Sequence, residues 1–235
     1  MTLAIMQPYF FPYLGYFALI KHSDQFILFD TPQFIRHGWI ERNQVLKPDG
    51  ETLYVKVPLR KHPRSTAIKD ILINNSEDWR SKIIAQLAPY KKKAPYFKQV
   101  TNLLDGIFKI KTESIVVLNF ESLKVISNYL NLKTPITIWS EMGVEIDEVN
   151  SPDEWALNIC KALKADSYIN PIGGMSFFDT EKYLNSRINI SFLNHKPTEY
   201  PQISTNFVPF LSIIDVMMFN SPEKINEYLD NYELL

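Results

Sequence analysis

Cysteine is nearly absent. Cys160 is the single one, which excludes an intramolecular disulfide and a cysteine-based zinc cage. Glycine is scarce, with 7 in 235 residues. No Walker-type or dinucleotide-type glycine fingerprint occurs, so a phosphate-cradling glycine loop of either kind is excluded. No lysine or arginine precedes Lys21, and no small-residue cleavage site follows the first apolar stretch, so the N-terminus does not read as a secretory signal. The longest apolar run, Tyr9 to Ile20, is broken by Pro12 and Gly15. It falls short of the ~20 residues that a spanning helix needs. An excess of charge is lacking too. Against 25 Lys+Arg stand 26 Asp+Glu, a net charge of −1, which gives no electrostatic reason for a nucleic-acid partner or a polybasic membrane face. His22, His37, His62 and His195 have no ligand-like spacing, so no metal is expected. These absences point to a reduced, cytoplasmic chain without membrane insertion and without a cofactor.

What is present is aromatic and proline-rich: 15 Phe, 12 Tyr and 15 Pro. Hydrophobic residues make up 46% and charged residues 22%, ordinary values for a globular chain. One domain over 1–235 is expected. Leu3-Ala4-Ile5-Met6 reads as a short buried strand and Leu14 to Lys21 as a helix. Phe26 to Phe29 reads as a second strand buried on both faces, the parallel-sheet signature. Residues 33–75 look β-rich. Leu53 to Pro58 alternates, Ile68 to Ile73 is a further candidate strand, and Lys47-Pro48-Asp49-Gly50 is a turn. Residues 76–132 carry three helical stripes, the first with Ser76 as its N-cap. Strands at Thr137–Trp139, Ser167–Ile169 and Asn189–Leu193 follow. Helices start at Ser151-Pro152-Asp153-Glu154, near Leu211 and at Ser221. The alternation is α/β, a mostly parallel Rossmann-like sheet with a β-rich excursion and a helical segment.

Four constellations carry polar chemistry. Gln7-Pro8-Tyr9-Phe10-Phe11-Pro12-Tyr13 follows a strand and leads into a helix, where open α/β sheets bind ligands. Gln7, Tyr9 and Tyr13 offer hydrogen bonds there. In the segment from Gln33 to Asn43, an extended chain puts His37, Trp39, Glu41 and Asn43 on one face. A helix instead pairs His37 with Glu41 and Trp39 with Asn43. Either geometry lets Glu41 orient His37 as a general base. Arg42 can fork onto a phosphate or carboxylate. Asn170-Pro171-Ile172-Gly173-Gly174 allows close backbone approach to a ligand. Gln202 and the stretch from Phe207 to Asn220 form the fourth group. In it, Asp215 is either a helix-start carboxylate or a buried one served by Arg42 or His195. Arg60-Lys61-His62-Pro63-Arg64 is a basic cluster that reads as solvated surface or as a phosphate holder.

In this order, the constellations resemble the WbqC-like family. The resemblance is carried by Gln7 to Phe17, Trp39 with Arg42-Asn43, Asn170-Pro171 with Gly173-Gly174, and Phe207-x-Pro209 through Asp215 to Asn220. It implies a bacterial transferase of O-antigen, lipopolysaccharide or related surface-polysaccharide biosynthesis. The implied reaction is acyl or aminoacyl (glycine) transfer onto a nucleotide-activated amino sugar, so a small-molecule sugar and an acyl donor are the expected partners. His37, Glu41 and Arg42 are then the catalytic candidates. Gln7, Tyr9, Tyr13, Trp39, Asn43, Asn170, Gly173, Gly174, Gln202 and Asp215 are the substrate-binding candidates. The opening strand, loop and helix also resemble nucleotidylyltransferases, whose His-x-Gly-His binds ATP phosphates. Here Tyr13 and Tyr16 stand at both histidine positions and cannot supply the imidazolium charge. An ATP-dependent ligase and a non-catalytic nucleotide-sugar or glycan binder are the rival expectations.

Overall fold

The computed structural model describes all 235 residues. The chain runs through β1 (Thr2–Met6), α1 (Leu14–Lys21), β2 (Gln25–Leu28), β3 (Arg42–Leu46), β4 (Thr52–Lys56), α2 (Trp79–Gln86), α3 (Phe97–Phe108) and α4 (Ile115–Tyr129). It continues through β5 (Ile136–Ile138), α5 (Glu154–Ala162), β6 (Ser167–Pro171), α6 (Thr180–Asn185), β7 (Asn189–His195), α7 (Ile213–Phe219), α8 (Pro222–Leu229) and β8 (Tyr232–Leu234). A six-stranded sheet has the order β5-β2-β1-β6-β7-β8. All neighbours in it are parallel except β7 and β8, which are antiparallel. β3 and β4 form a separate antiparallel hairpin. The expected α/β class with a mostly parallel sheet therefore stands.

The apolar strands are continuous because both faces of the sheet are covered. Leu3 and Ile5 of β1 and Ile27 of β2 pack on the side of α5, with Leu157, Ile159 and Cys160. Ala4, Phe26 and Leu28 point the other way, into a larger core built with α1, α3, α4, α7 and α8. α1 is sealed so deeply that Leu14 through Ile20 are all buried. No helix is long and apolar enough to cross a membrane.

Local differences from the sequence expectations have local causes. Ile68 to Ile73 is not a strand but a single 3₁₀ turn, Ile68–Asp70, followed by isolated bridges. Its amides are drawn to scattered partners: Ile68 to Pro32, Lys69 to Asp30 and Ile73 to Glu113. No ladder can form from such partners. Asp78, not Ser76, caps α2, accepting from the Ser81 amide at 3.2 Å. Ser76 is captured instead by Asn74 Oδ1 at 2.7 Å, the local side-chain competition expected of these residues. α5 begins at Glu154. The Glu154 carboxylate reaches back to the Asn150 amide at 2.8 Å and the Ser151 amide at 3.3 Å, while Ser151 Oγ is bound within the Asp153–Lys182 cluster. The Lys47–Gly50 turn forms as expected, with Gly50 at φ +88° and its amide donating to Lys47 O at 3.0 Å.

Candidate functional site

Chain order and sheet order part company at β1. β2 and β5 lie to one side of it, whereas β6 and β7 lie to the other. The crevice outside the carboxyl ends of β1 and β6 is a topological switch point, where open α/β sheets bind ligands. A cavity of about 760 Å³ opens there, within the ~300–1,000 Å³ typical of small-molecule sites.

Its floor is the segment after β1. Pro8 and Pro12 fix the backbone course, and neighbouring side chains hold the carbonyls of Gln7, Pro8, Phe10 and Phe11. Asn43 Nδ2 donates to Phe10 O and Phe11 O, both at 3.0 Å. Asn119 Nδ2 donates to Pro8 O at 2.8 Å and Ile40 O at 2.9 Å. Ser212 Oγ donates to Phe11 O at 2.8 Å, and Tyr16 OH donates to Gln7 O at 2.9 Å. This clamp keeps Phe11 at φ +42°, a strained value for a bulky residue that persists only when its surroundings over-determine it. Tyr13 lies flat over Gly15, where an added Cβ would fall 2.4 Å from the tyrosine ring.

The opposite wall follows β6. Tyr168 OH donates to Asn170 Oδ1 at 2.9 Å, which fixes the amide's orientation. The Asn170 amide in turn leans on Gly174, where a Cβ would fall 2.2 Å from Nδ2. Gly174→Ala is accordingly expected to push the Asn170 amide out of place and weaken ligand binding at least tenfold. The surrounding 3₁₀ turn, Ile172–Phe177, buries no residue, so the melting temperature should hardly move. Calorimetric titration beside thermal unfolding checks both halves.

Gln7, Tyr9, Tyr13, Trp39, Asn43, Asn170, Gly173 and Gly174 all line this one cavity. Asn43 differs from the others in that its amide protons are already committed to the loop. Neither the Gln7 side-chain amide nor the Tyr9 and Tyr13 hydroxyls has a protein partner, so these groups are open to a ligand. Beyond Tyr9, Tyr13 and Trp39, sequence reasoning missed six aromatic residues of the lining: Phe29, Trp155, Tyr168, Phe177, Phe178 and Phe210. The paired Phe177-Phe178 four residues past Gly173 was the available signal.

No lining residue carries an acidic or basic side chain; the titratable ones are tyrosines. Burial raises the pKa of Tyr9 and Tyr13 and places that of Tyr168 well above the usual range. The cavity is therefore uncharged. Its apolar planes and scattered amide and hydroxyl groups suit a ligand with an apolar face and many neutral hydrogen-bonding groups.

The remaining named residues lie elsewhere. Between Arg36 and Gly38 the backbone turns, His37 takes φ +65°, and β3 begins only at Arg42. The segment is thus neither extended nor helical. Trp39 and Asn43 face the uncharged cavity, whereas His37, Glu41 and Arg42 line a second cleft. No hydrogen bond joins the Glu41 and His37 side chains. Arg42 Nε donates to Gly38 O at 3.3 Å, its other arm reaches His37 O, and its guanidinium lies 4.2 Å over the Tyr54 ring. Gln202 closes its own turn, donating to Val208 O and accepting from Val208 N, both at 2.8 Å. Asp215 is fully buried. Its partners are the hydroxyls of Tyr90 and Tyr200, rather than Arg42 or His195. Of the two tyrosines at the histidine positions, Tyr13 lines the cavity but Tyr16 is buried and spent on Gln7.

The model of the WbqC-like protein family matches residues 7–227. The uncharacterized protein Rv1507c of Mycobacterium tuberculosis is 26% identical over 232 residues, covering 96% of each chain. No solved structure matches the chain.

Proposed function

The chain belongs to the WbqC-like protein family, and on that premise we propose that it binds the sugar of a nucleotide-activated amino sugar and modifies it by acyl or aminoacyl transfer. The setting of this reaction is bacterial surface-polysaccharide synthesis in the cytoplasm. One observation carries the reading: a switch-point cavity walled by aromatic planes, with free amide and hydroxyl groups and no ionised side chain. An aromatic face covers the C–H face of a pyranose, while Gln7, Asn170, Tyr9 and Tyr13 answer its hydroxyls. A charged lining would have to be desolvated against a neutral sugar, at a cost this cavity avoids.

In the transfer, the sugar's own amine is the nucleophile. Its nitrogen forms a bond to the acyl carbon, the ester or thioester bond of the donor breaks, and the leaving group takes a proton. His37 lines the second cleft with Glu41, so it takes the amine's proton where the bound sugar's amine reaches over the strip, and passes it to the leaving group. A second reading, binding without turnover, draws on the same observation, since the cavity itself supplies no acid or base.

A thermal-shift panel tests both. UDP- and dTDP-linked amino sugars at ~100 times their dissociation constant should stabilise by about 2.7 kcal/mol, roughly 5–10 °C for a chain of this size. ATP with magnesium should give no shift that depends on Trp39. Trp39→Ala should remove the shift. A shift with ATP alone would replace this reading with the ligase, and silence with every nucleotide sugar would end it. With an activated acyl donor present, turnover that His37→Ala abolishes while sugar binding persists supports transfer. Binding with no turnover in the unaltered protein supports the binding reading.

A further inference from the structure

The second cleft has a volume of about 490 Å³. Five cationic side chains line it, Arg36, Arg42, Lys56, Arg60 and Lys61, against a single lining acid, Glu41; of the five, Arg60 alone is ion-paired, to Glu113. In a chain of net charge −1 such local segregation is costly unless an anion relieves it.

Three features separate this cleft from an ordinary solvated basic surface. Arg42 and Lys56 are direct cross-strand partners in the β3–β4 hairpin, and like charges set opposite each other destabilise a hairpin. Lys56 and Lys61 make no ion pair, although surface carboxylates are plentiful. Arg42 is locked in place by two backbone carbonyls and the Tyr54 ring, so little entropy remains to be lost when it meets a ligand. On the acidic side, Glu41 Oε2 is buried and has no hydrogen-bond partner. Burial also raises the Glu41 pKa, an effect that Arg42 and His37 partly offset. A buried, unpaired carboxylate oxygen calls for a donor.

We propose that this cleft is a second ligand site, which takes a diphosphate-bearing small molecule whose neighbouring hydroxyl or N–H donates to Glu41. Its volume of about 490 Å³ lies within the range of small-molecule sites. The strip from His37 to Asn43 separates this site from the uncharged cavity. The diphosphate therefore belongs either to the nucleotide of a sugar lying across the strip or to a separate phosphate-bearing acyl donor. The site itself does not depend on the sugar reading.

The test is titration calorimetry with inorganic pyrophosphate at about 50 mM salt, where screening is weak. Lys56→Gln/Lys61→Gln is the variant, because both side chains are exposed and bond nothing, so its fold should match that of the unaltered protein by circular dichroism. Saturable binding, weakened at least tenfold in the variant and unchanged in Trp39→Ala, is the expected result. No saturable binding, or equal affinity in the lysine variant, would overturn the site. Because pyrophosphate carries no sugar, failure here leaves the sugar reading standing, and the reverse also holds. UDP-N-acetylglucosamine and coenzyme A then assign the source. A nucleotide sugar weakened by both the lysine variant and Trp39→Ala spans the strip, whereas coenzyme A weakened by the lysine variant alone marks a donor site.

Discussion

Asp215→Ala is expected to lower the unfolding free energy by about 3–5 kcal/mol, the cost of breaking a buried polar cluster by removing one member. The carboxylate accepts from Tyr200 OH at 2.8 Å and from Tyr90 OH. Tyr90 OH in turn accepts the Leu46 amide at 2.8 Å. One carboxylate thus joins α7, the turn before α3, the loop around Tyr200 and the β3 strand. Alanine strands two buried hydroxyl donors and opens a cavity. Set against a total stability of about 5–15 kcal/mol, that loss is large. Burial lifts the carboxyl pKa to about 6 although both tyrosine hydrogen bonds pull it down. A group raised above its unfolded value holds more protons in the native state. Its stabilisation is complete below about pH 4 and is lost as pH rises through 6. Asp215→Asn, which cannot titrate, should therefore lose more stability at pH 4 than at pH 7, by roughly 2 kcal/mol. Urea unfolding at the two pH values measures this, and a penalty independent of pH would refute it.

Asn43→Ala should cost about 2–4 kcal/mol and abolish ligand binding with it. The Asn43 amide is the only side chain that bonds both Phe10 O and Phe11 O; its loss strips Phe10 O of its donor, at roughly 1–3 kcal/mol, and leaves Phe11 O with Ser212 Oγ alone. Without that bond the strained Phe11 backbone relaxes, and the cavity floor between Pro8 and Pro12 moves with it. Trp39→Ala is the contrast. Trp39 is 41% exposed, so its loss should leave stability within about 0.5 kcal/mol while binding falls. Calorimetry with a nucleotide sugar and urea unfolding, run on both variants, separate scaffold from contact. If Asn43→Ala kept its affinity, the clamp on the loop would not govern the site.

Much of this architecture was readable from residue pattern. Pro12 and the apolar run after it delimit α1 to the residue, and the runs at Leu3 and Phe26 mark the two strands buried on both faces. The limits are equally local. β8 has three residues, and its stability comes from pairing with β7 rather than from its own pattern. The Ile68–Ile73 spacing fits burial in a strand or in a coiled segment alike. The segment from His37 to Asn43 splits between two cavities because His37 adopts a positive φ, which neither periodicity accommodates. Asp215 finds its partners 125 and 15 residues away, a distance in sequence that no motif bridges. Polar residues near the loops, with Tyr9, Tyr13 and Trp39, were legible as a group, but the aromatic wall beyond them was not. Trp155 and Phe178 look like any core residue until the sheet places them beside Gln7.

The position of β1 has a consequence for the chain as it is made. Of the six strands of the sheet, β1 is made first and lies at the centre, with Thr2 set against Ser167. Its partner β2 ends at Leu28, but its other partner is not complete until Pro171. At a synthesis rate of about 5–20 residues per second, one edge of the central strand stays open for roughly 7–30 s. Both faces of that strand are apolar, the composition most prone to pairing with a stranger. Closure of the central sheet is thus a late step of synthesis, and until β6 arrives the open edge of β1 needs shielding.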